Sequence, residues 1–207
     1  DCTGHGVPGA LMSMIGFNFL GQIVNEMHIR KTSAILDELH RKILFALNRN
    51  LASGDVKDGM DIALLRIFKG SRKIEFSGAV RPLYIVNAGK LNIIDGDIYS
   101  IGGIKDPEKE SFSCHEMEVE SGSMLYLFSD GYADQFGMSS EERGKVSAKT
   151  GTPAGKKFKY RRLRELLSAV SGKPADEQQR LISETFLAWK GNLEQVDDIL
   201  VIGIRPD

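Results

Sequence analysis

The chain is poor in cysteine: Cys2 and Cys114 are the only two among 207 residues, and they form no CxxC pair. That fits two free thiols in a reducing, cytoplasmic compartment better than a disulfide framework. Charge of one sign is also missing, since 27 Lys and Arg stand against 28 Asp and Glu for a formal net charge of -1. The molecule as a whole therefore has no field that would draw in nucleic acid or an anionic membrane, and nucleic acid is not an expected partner. No uninterrupted apolar run reaches the roughly 18 residues of a membrane span, and nothing near Asp1 resembles a signal peptide; the parent protein is still free to be membrane-attached. His28, His40 and His115 have no ligand spacing to one another, which argues against zinc. Neither GxGxxG nor GxxxxGK[ST] occurs, so the Gly-rich opening is not a nucleotide loop.

What is present suits one globular domain over residues 1–207, with 42% hydrophobic and 27% charged residues and enough length to bury a core. The first ten residues, "DCTGHGVPGA", set an acid, a histidine and three glycines ahead of an apolar run. An opening on such a turn with no strand before it leads us to expect a fragment that lacks its N-terminal strands. From Pro8 to Met27, Leu11, Met14, Ile15, Phe19, Ile23 and Met27 recur at helical spacing, which predicts a buried helix. Ile35, Leu36, Leu39, Ile43, Leu44 and Leu47 predict a second, capped by Thr32 or Ser33. From Met60 the pattern becomes extended: "MDIALLRIF", "KIEFSGA" and "PLYIVNAGKLNIID" read as an antiparallel meander, and "FSCHEMEVE" and "SMLYLFSDG" as two more strands. Helices are expected over "YRRLRELLSAV" and "ADEQQRLISETFLAWKG", the second stopped by Gly191, before a closing buried strand in "DDILVIGIR". This order lacks βαβ alternation and points to an α+β domain.

Three stretches deliver an acid beside small or acidic neighbours: Asp1 in "DCTG", Asp130 in "FSDGYAD", and Asp197 with Asp198 in "VDDIL". Carboxylates and a backbone carbonyl are the donors that magnesium or manganese prefers. Asp before Gly is equally ordinary turn chemistry. The residues alone leave both readings open.

Taken together, "DCTGHGVPGALMSMIG", "MDIALLRI", "FSGAVRPLYIV", "YLFSDGYADQFG", "GKKFKYRRLRELL" and "LEQVDDILVIGI" resemble the PPM family of metal-dependent protein Ser/Thr phosphatases, in its SpoIIE-like bacterial branch that regulates sigma factors. The resemblance runs from Asp1 to about Arg205. It implies a four-layer αββα sandwich of two antiparallel β-sheets flanked by helix pairs, truncated at the N-terminus. It also implies a two-metal Mn or Mg site with Asp1 as the bridging acid, a backbone carbonyl from Cys2, and Asp130 and Asp197 as further metal acids; Asp198 would support Asp197. The implied reaction is hydrolysis of phosphoserine or phosphothreonine on a phosphorylated regulatory protein of the anti-sigma antagonist type, by water activated at the metal, with neither cysteine as nucleophile. An upstream sensory or receiver domain in the parent chain is implied too, as is a possible homodimer formed where missing strands leave sheet edges open. The alternative is a degenerate module of the same fold that binds a signalling partner without turning it over.

The sequence departs from the family pattern in three ways. One metal acid of the wider family lies upstream of the bridging Asp, so one site is expected to be incomplete. Thr3 stands where eukaryotic members have a histidine, and His5 reads as structural. The small residues of "FSGAV" lack the acid of a third metal. Nine Lys or Arg between Arg143 and Arg164, with no acid among them, form either a solvated loop or a dock for the phosphoprotein. Met12, Met14 and Met27 read as core filler and Trp189 as a core anchor.

Overall fold

A computed structural model describes residues 1–4, 6–47, 59–103, 111–139 and 155–206. His5 and the cations Arg143, Lys145 and Lys149 of the basic stretch lie outside them. The chain divides into two compact units, Asp1–Leu83 with Ile93–Ser121, and Tyr84–Asn92 with Gly122–Pro206. Each contains an antiparallel sheet and a helix pair, as the expected α+β class requires.

The first unit opens with helix α1 (Val7–Gly21), which has Pro8 in its first turn, where a missing N–H leaves nothing unsatisfied. It runs into a π-helical turn, Gln22–Glu26, closed by the Met27 N–H on the Gln22 carbonyl at 2.9 Å. Helix α2 (Thr32–Ala46) follows, and strands β1 (Ile62–Ile67), β2 (Lys73–Ala79) and β5 (His115–Glu118) form a three-stranded sheet in the order β1-β2-β5. The core collects Ile35, Leu36, Leu39 and Ile43 of α2 with Met12, Ile23, Met60, Tyr99, Ile101 and Phe112.

Two expectations for these helices need correction. The first helix is not buried: Leu11 and Met14 are exposed, and Phe17 is 78% exposed, while the inward face is Met12, Gly16 and Ile23. An apolar residue on nearly every side gives the period no way to choose the buried face. By length and composition alone, with a mean hydropathy of 1.4, Val7–Glu26 suffices for a membrane span, and 22% of its apolar 18-residue window is buried. Secondly, neither Thr32 nor Ser33 caps α2. Lys31 precedes the helix, and the Thr32 N–H donates instead to Glu75 Oε1 of β2 at 2.5 Å. A carboxylate that is only 4% exposed thus meets the positive end of the helix.

The second unit is built on the sheet β4-β3-β6-β9, from β3 (Leu83–Asn87), β4 (Lys90–Ile94), β6 (Met124–Phe128) and β9 (Val201–Ile204). The meander expected after Met60 therefore splits, because β3 and β4 leave the sheet of β1 and β2. Pro82 ends the possibility of continuing β2, since it has no N–H to give a ladder. Helix α3 (Gly131–Asp134) is one turn, and the two-residue strands β7 (Phe136–Gly137) and β8 (Lys156–Lys157) pair with each other. Helices α4 (Lys159–Val170) and α5 (Ala175–Lys190) complete the unit; Gly191, at φ 56°, ends α5 as expected. The core is aromatic. Tyr132 meets Phe158 and Phe186 at 5.1 and 5.2 Å, and Phe158 meets Trp189 at 5.3 Å. Trp189 is the core anchor expected, with its Nε1–H on the Gln135 carbonyl at 3.1 Å. The closing strand differs from expectation. It covers only Val201–Ile204 and lies at a sheet edge, with Leu200 and Ile202 exposed.

Candidate active site

In the second unit the strand β6 runs "MLYLF" into Ser129 and Asp130, and α3 begins directly after. The continuous apolar run of β6 buries its stem and carries Asp130 to the strand end, where Oδ1 is shielded from solvent. Facing it is the segment before β9. Ser129 fastens that segment: its N–H donates to the Leu200 carbonyl at 3.0 Å, and its hydroxyl donates to the Asp198 carbonyl at 3.0 Å while accepting the Leu200 N–H. Gly131 makes the approach possible. A Cβ there would fall 2.3 Å from the Asp198 carbonyl oxygen and 3.3 Å from Asp197 Cβ. Asp197 is oriented by its own neighbour, with Oδ1 accepting the Asp198 N–H at 2.8 Å. The structure thus brings Asp130, Asp197 and Asp198 into one small region of this unit. All the donors offered there are oxygens, the chemistry a hard divalent cation takes.

Asp1 and Cys2 belong to the first unit. Asp1 and Asp61 exchange backbone hydrogen bonds at 2.7 and 3.0 Å, Cys2 bridges Met60, and Met60 in turn pairs with Ile101. The Cys2 thiol accepts from Ser13 Oγ at 3.3 Å, and both cysteines are free thiols. The carboxylate of Asp1 is not alone. Arg81 Nη2 lies 2.5 Å from Asp1 Oδ2 and 3.1 Å from Asp61 Oδ2, with the Arg81 side chain only 8% exposed. Ser100 Oγ donates to the other oxygen of Asp61 at 2.5 Å.

The turn that carries Arg81 is strained. Val80 holds φ 67°, a left-handed conformation that a β-branched residue rarely adopts and that costs about 1–3 kcal/mol. It is held by the Val80 N–H on the Asp97 carbonyl at 2.7 Å, and by the Arg81 N–H on the Ala79 carbonyl at 2.8 Å. Gly78 and Gly96 wrap the Arg81 carbonyl, since a Cβ on either would lie 2.2 or 2.7 Å from it.

Sequence reasoning missed Asp61 and Arg81 as members of a site. Both stand inside stretches that carry the family resemblance, yet nothing local marks them, because their partners lie 20 to 80 residues away. A third acidic group was also missed. Glu75, Cys114 and Glu116 bring ligand atoms within 4.8 Å of one another, a spacing that would admit a metal ion. Glu75 already caps α2, and Glu116 is paired with Lys73 at 2.9 Å, which holds its carboxyl below the ordinary value.

Of the basic stretch, the described cations are largely engaged within the fold. Lys157 pairs with Asp134 at 2.9 Å and Arg161 with Glu165 at 2.9 Å. Arg162 stacks over Trp189 at 4.5 Å, and Arg164 donates to the Tyr84 hydroxyl.

The family description "Stage II sporulation protein E (SpoIIE)" matches residues 1–207. Among solved structures, the SiaA-PP2C domain of Pseudomonas aeruginosa is 26% identical with a TM-score of 0.80, over 100% of this chain and 74% of that one. The PP2C phosphatase domain of SpoIIE from Bacillus subtilis, with a fragment of its regulatory domain, is 14% identical with a TM-score of 0.63, over 99% of this chain and 51% of that one. The RsbU and RsbW domains of Rv1364c from Mycobacterium tuberculosis are 16% identical with a TM-score of 0.63, over 100% of this chain and 51% of that one. No curated protein sequence matches. A family match over every residue, joined to the α+β fold and the acids at the end of β6 and before β9, leads to one conclusion: the chain belongs to the SpoIIE family and is a protein serine/threonine phosphatase domain of the PPM type.

Proposed function

We propose that residues 1–207 act as one phosphatase domain that hydrolyses phosphoserine or phosphothreonine on a cytoplasmic regulatory protein of the anti-sigma antagonist type. Manganese or magnesium would be held by Asp1, the Cys2 carbonyl, Asp130 and Asp197. Bound divalent ions supply Lewis-acid polarisation of the phosphoryl group and a nucleophile at neutral pH. The rest of the work falls to the chain. Asp130 and Asp197 present carboxylates from a strand end and a pinned segment, Asp198 orients Asp197 through its N–H, and Ser129 keeps that segment in register.

The observation that carries this reading is the Gly131 approach, where a missing Cβ lets the Asp197–Asp198 segment lie against the turn of Asp130. The substrate class rests on the kind of proteins the chain resembles, among them a domain named RsbU. An upstream sensory or receiver domain and a homodimer complete the proposal, and light scattering that returned only monomer would refute the dimer.

Manganese-dependent hydrolysis of a phosphoserine peptide tests the chemistry. Asp130→Asn and Asp197→Asn should abolish turnover, whereas Cys2→Ala, which removes only a side chain, should be nearly silent. Equal loss in all three would overturn the assignment. A phosphorylated anti-sigma antagonist hydrolysed no faster than the generic peptide would overturn the substrate class.

A further inference from the structure

We propose that Arg81 is a positioning residue that stands in for a divalent cation at Asp1, so that it opposes metal loading and sets the metal affinity of the site. The proposal rests on the reading of Asp1 as a metal ligand.

Arg81 Nη2 lies between two carboxylates drawn from separate segments, 2.5 Å from Asp1 and 3.1 Å from Asp61. The guanidinium is only 8% exposed, and the two acids are 23% and 20% exposed in their side chains, so bulk salt screens the group weakly. Two carboxylates this close repel each other unless a cation sits with them. Here that cation is Arg81, which engages Oδ2 of Asp1 and so would compete with a divalent ion for that carboxylate.

The placement is built rather than incidental. Val80 is held at φ 67°, the Arg81 carbonyl is enclosed by Gly78 and Gly96, and Asp97 locks the turn through two backbone hydrogen bonds. Asp97 is itself fixed by the Ser113 N–H and hydroxyl at 2.7 and 3.0 Å. A surface arginine that found two acids by chance would not need a strained, glycine-lined turn beneath it. Strain of this kind collects where function demands it.

A charge that merely orients Asp1 and a charge that competes for it make opposite predictions. If Arg81 only orients, neutralising it weakens metal binding. If it competes, neutralising it strengthens binding, because Asp1 and Asp61 are left as an unopposed anionic pair.

Calorimetric titration with manganese decides between them, using the whole chain as wild type and as Arg81→Gln, Arg81→Met, Arg81→Lys and Asp1→Asn. The expected result is that Arg81→Gln and Arg81→Met bind manganese at least about tenfold more tightly, equivalent to about 1.4 kcal/mol. Arg81→Lys, which keeps the charge but not the planar fork, should bind manganese less tightly than the neutral variants. Unchanged or weaker binding in the neutral variants overturns the proposal.

Arg81→Gln keeps hydrogen-bonding capacity and decides the matter if Arg81→Met fails to fold. A second measurement on the wild type needs no variant. The guanidinium signals of Arg81 in proton–nitrogen NMR should shift during a magnesium titration in step with occupancy, and signals that stay fixed at saturation overturn the proposal. Asp1→Asn separates the two levels of inference. If it leaves manganese affinity untouched, the assignment of Asp1 as a ligand falls; if it weakens binding while the neutral Arg81 variants are not tighter, only the role of Arg81 falls.

Discussion

Replacing Gly131 by alanine probes a close backbone approach in the proposed site. The added Cβ would meet the Asp198 carbonyl oxygen at 2.3 Å and Asp197 Cβ at 3.3 Å, where ordinary contact begins at 3.4 Å. The obstacle is backbone, so roughly 1 Å must open between the first turn of α3 and the Asp197–Asp198 segment. Alanine at a helical position offers back about 1 kcal/mol of propensity relative to glycine. Overpacking costs about 1–3 kcal/mol, so the net effect on folding is a loss of about 0–2 kcal/mol, within reach of a denaturant titration. The effect on chemistry should be at least as large, because a shift of 1 Å in a positioning group costs on the order of 100-fold in rate, or about 2.7 kcal/mol. The assay is manganese-dependent hydrolysis of a small aryl phosphate, run beside a melting curve. A variant with wild-type turnover and wild-type manganese affinity would refute the claim that Asp197 must lie against the turn of Asp130.

Other outcomes follow from the same structure. Tyr126 is buried and donates to Gln178 Oε1 at 2.6 Å, and burial pushes its phenol up to about 12. Its proton is held in the folded state but lost from the unfolded chain above about pH 10, so stability should be level below pH 10 and fall between pH 10 and 12, by about 3 kcal/mol. Tyr126→Phe should flatten that decline in alkaline denaturant titrations, except for the part due to Tyr132, whose phenol burial also pushes up. Glu75→Ala leaves the buried Thr32 N–H without its acceptor and should cost about 1–3 kcal/mol, with Glu75→Gln recovering part of it; no change in either would refute the cap. Reversing Lys156, Lys157 and Lys159 to Glu should weaken binding of a phosphoprotein substrate while leaving small aryl phosphate hydrolysis intact. Equal loss on both substrates would mean the stretch does not act as a dock for the phosphoprotein.

The elements were legible where their pattern is local. β2 appears over Lys73–Ala79 as its pattern predicts, and α2 buries Ile35, Leu36, Leu39 and Ile43 as its period requires. The first helix was not legible in that sense. With Val7, Leu11, Met14 and Phe17 as apolar as Met12 and Ile23, only contact with α2 and Met60 picks the inward side. The cap of α2 was invisible for a different reason, since Glu75 comes from a strand more than 40 residues away.

By itself the sequence determined the α+β class, the period of elements such as α2 and β2, and the place of Asp130 after β6 and of Asp197 ahead of the closing strand, because those depend on neighbours within a few positions. Only tertiary structure decided that Gly131 opens the way to Asp198, that Glu75 caps α2, and that Arg81 lies between Asp1 and Asp61. Pairings of charge across 20 to 80 residues follow from where sheets and turns bring the chain back, and no local pattern encodes that return.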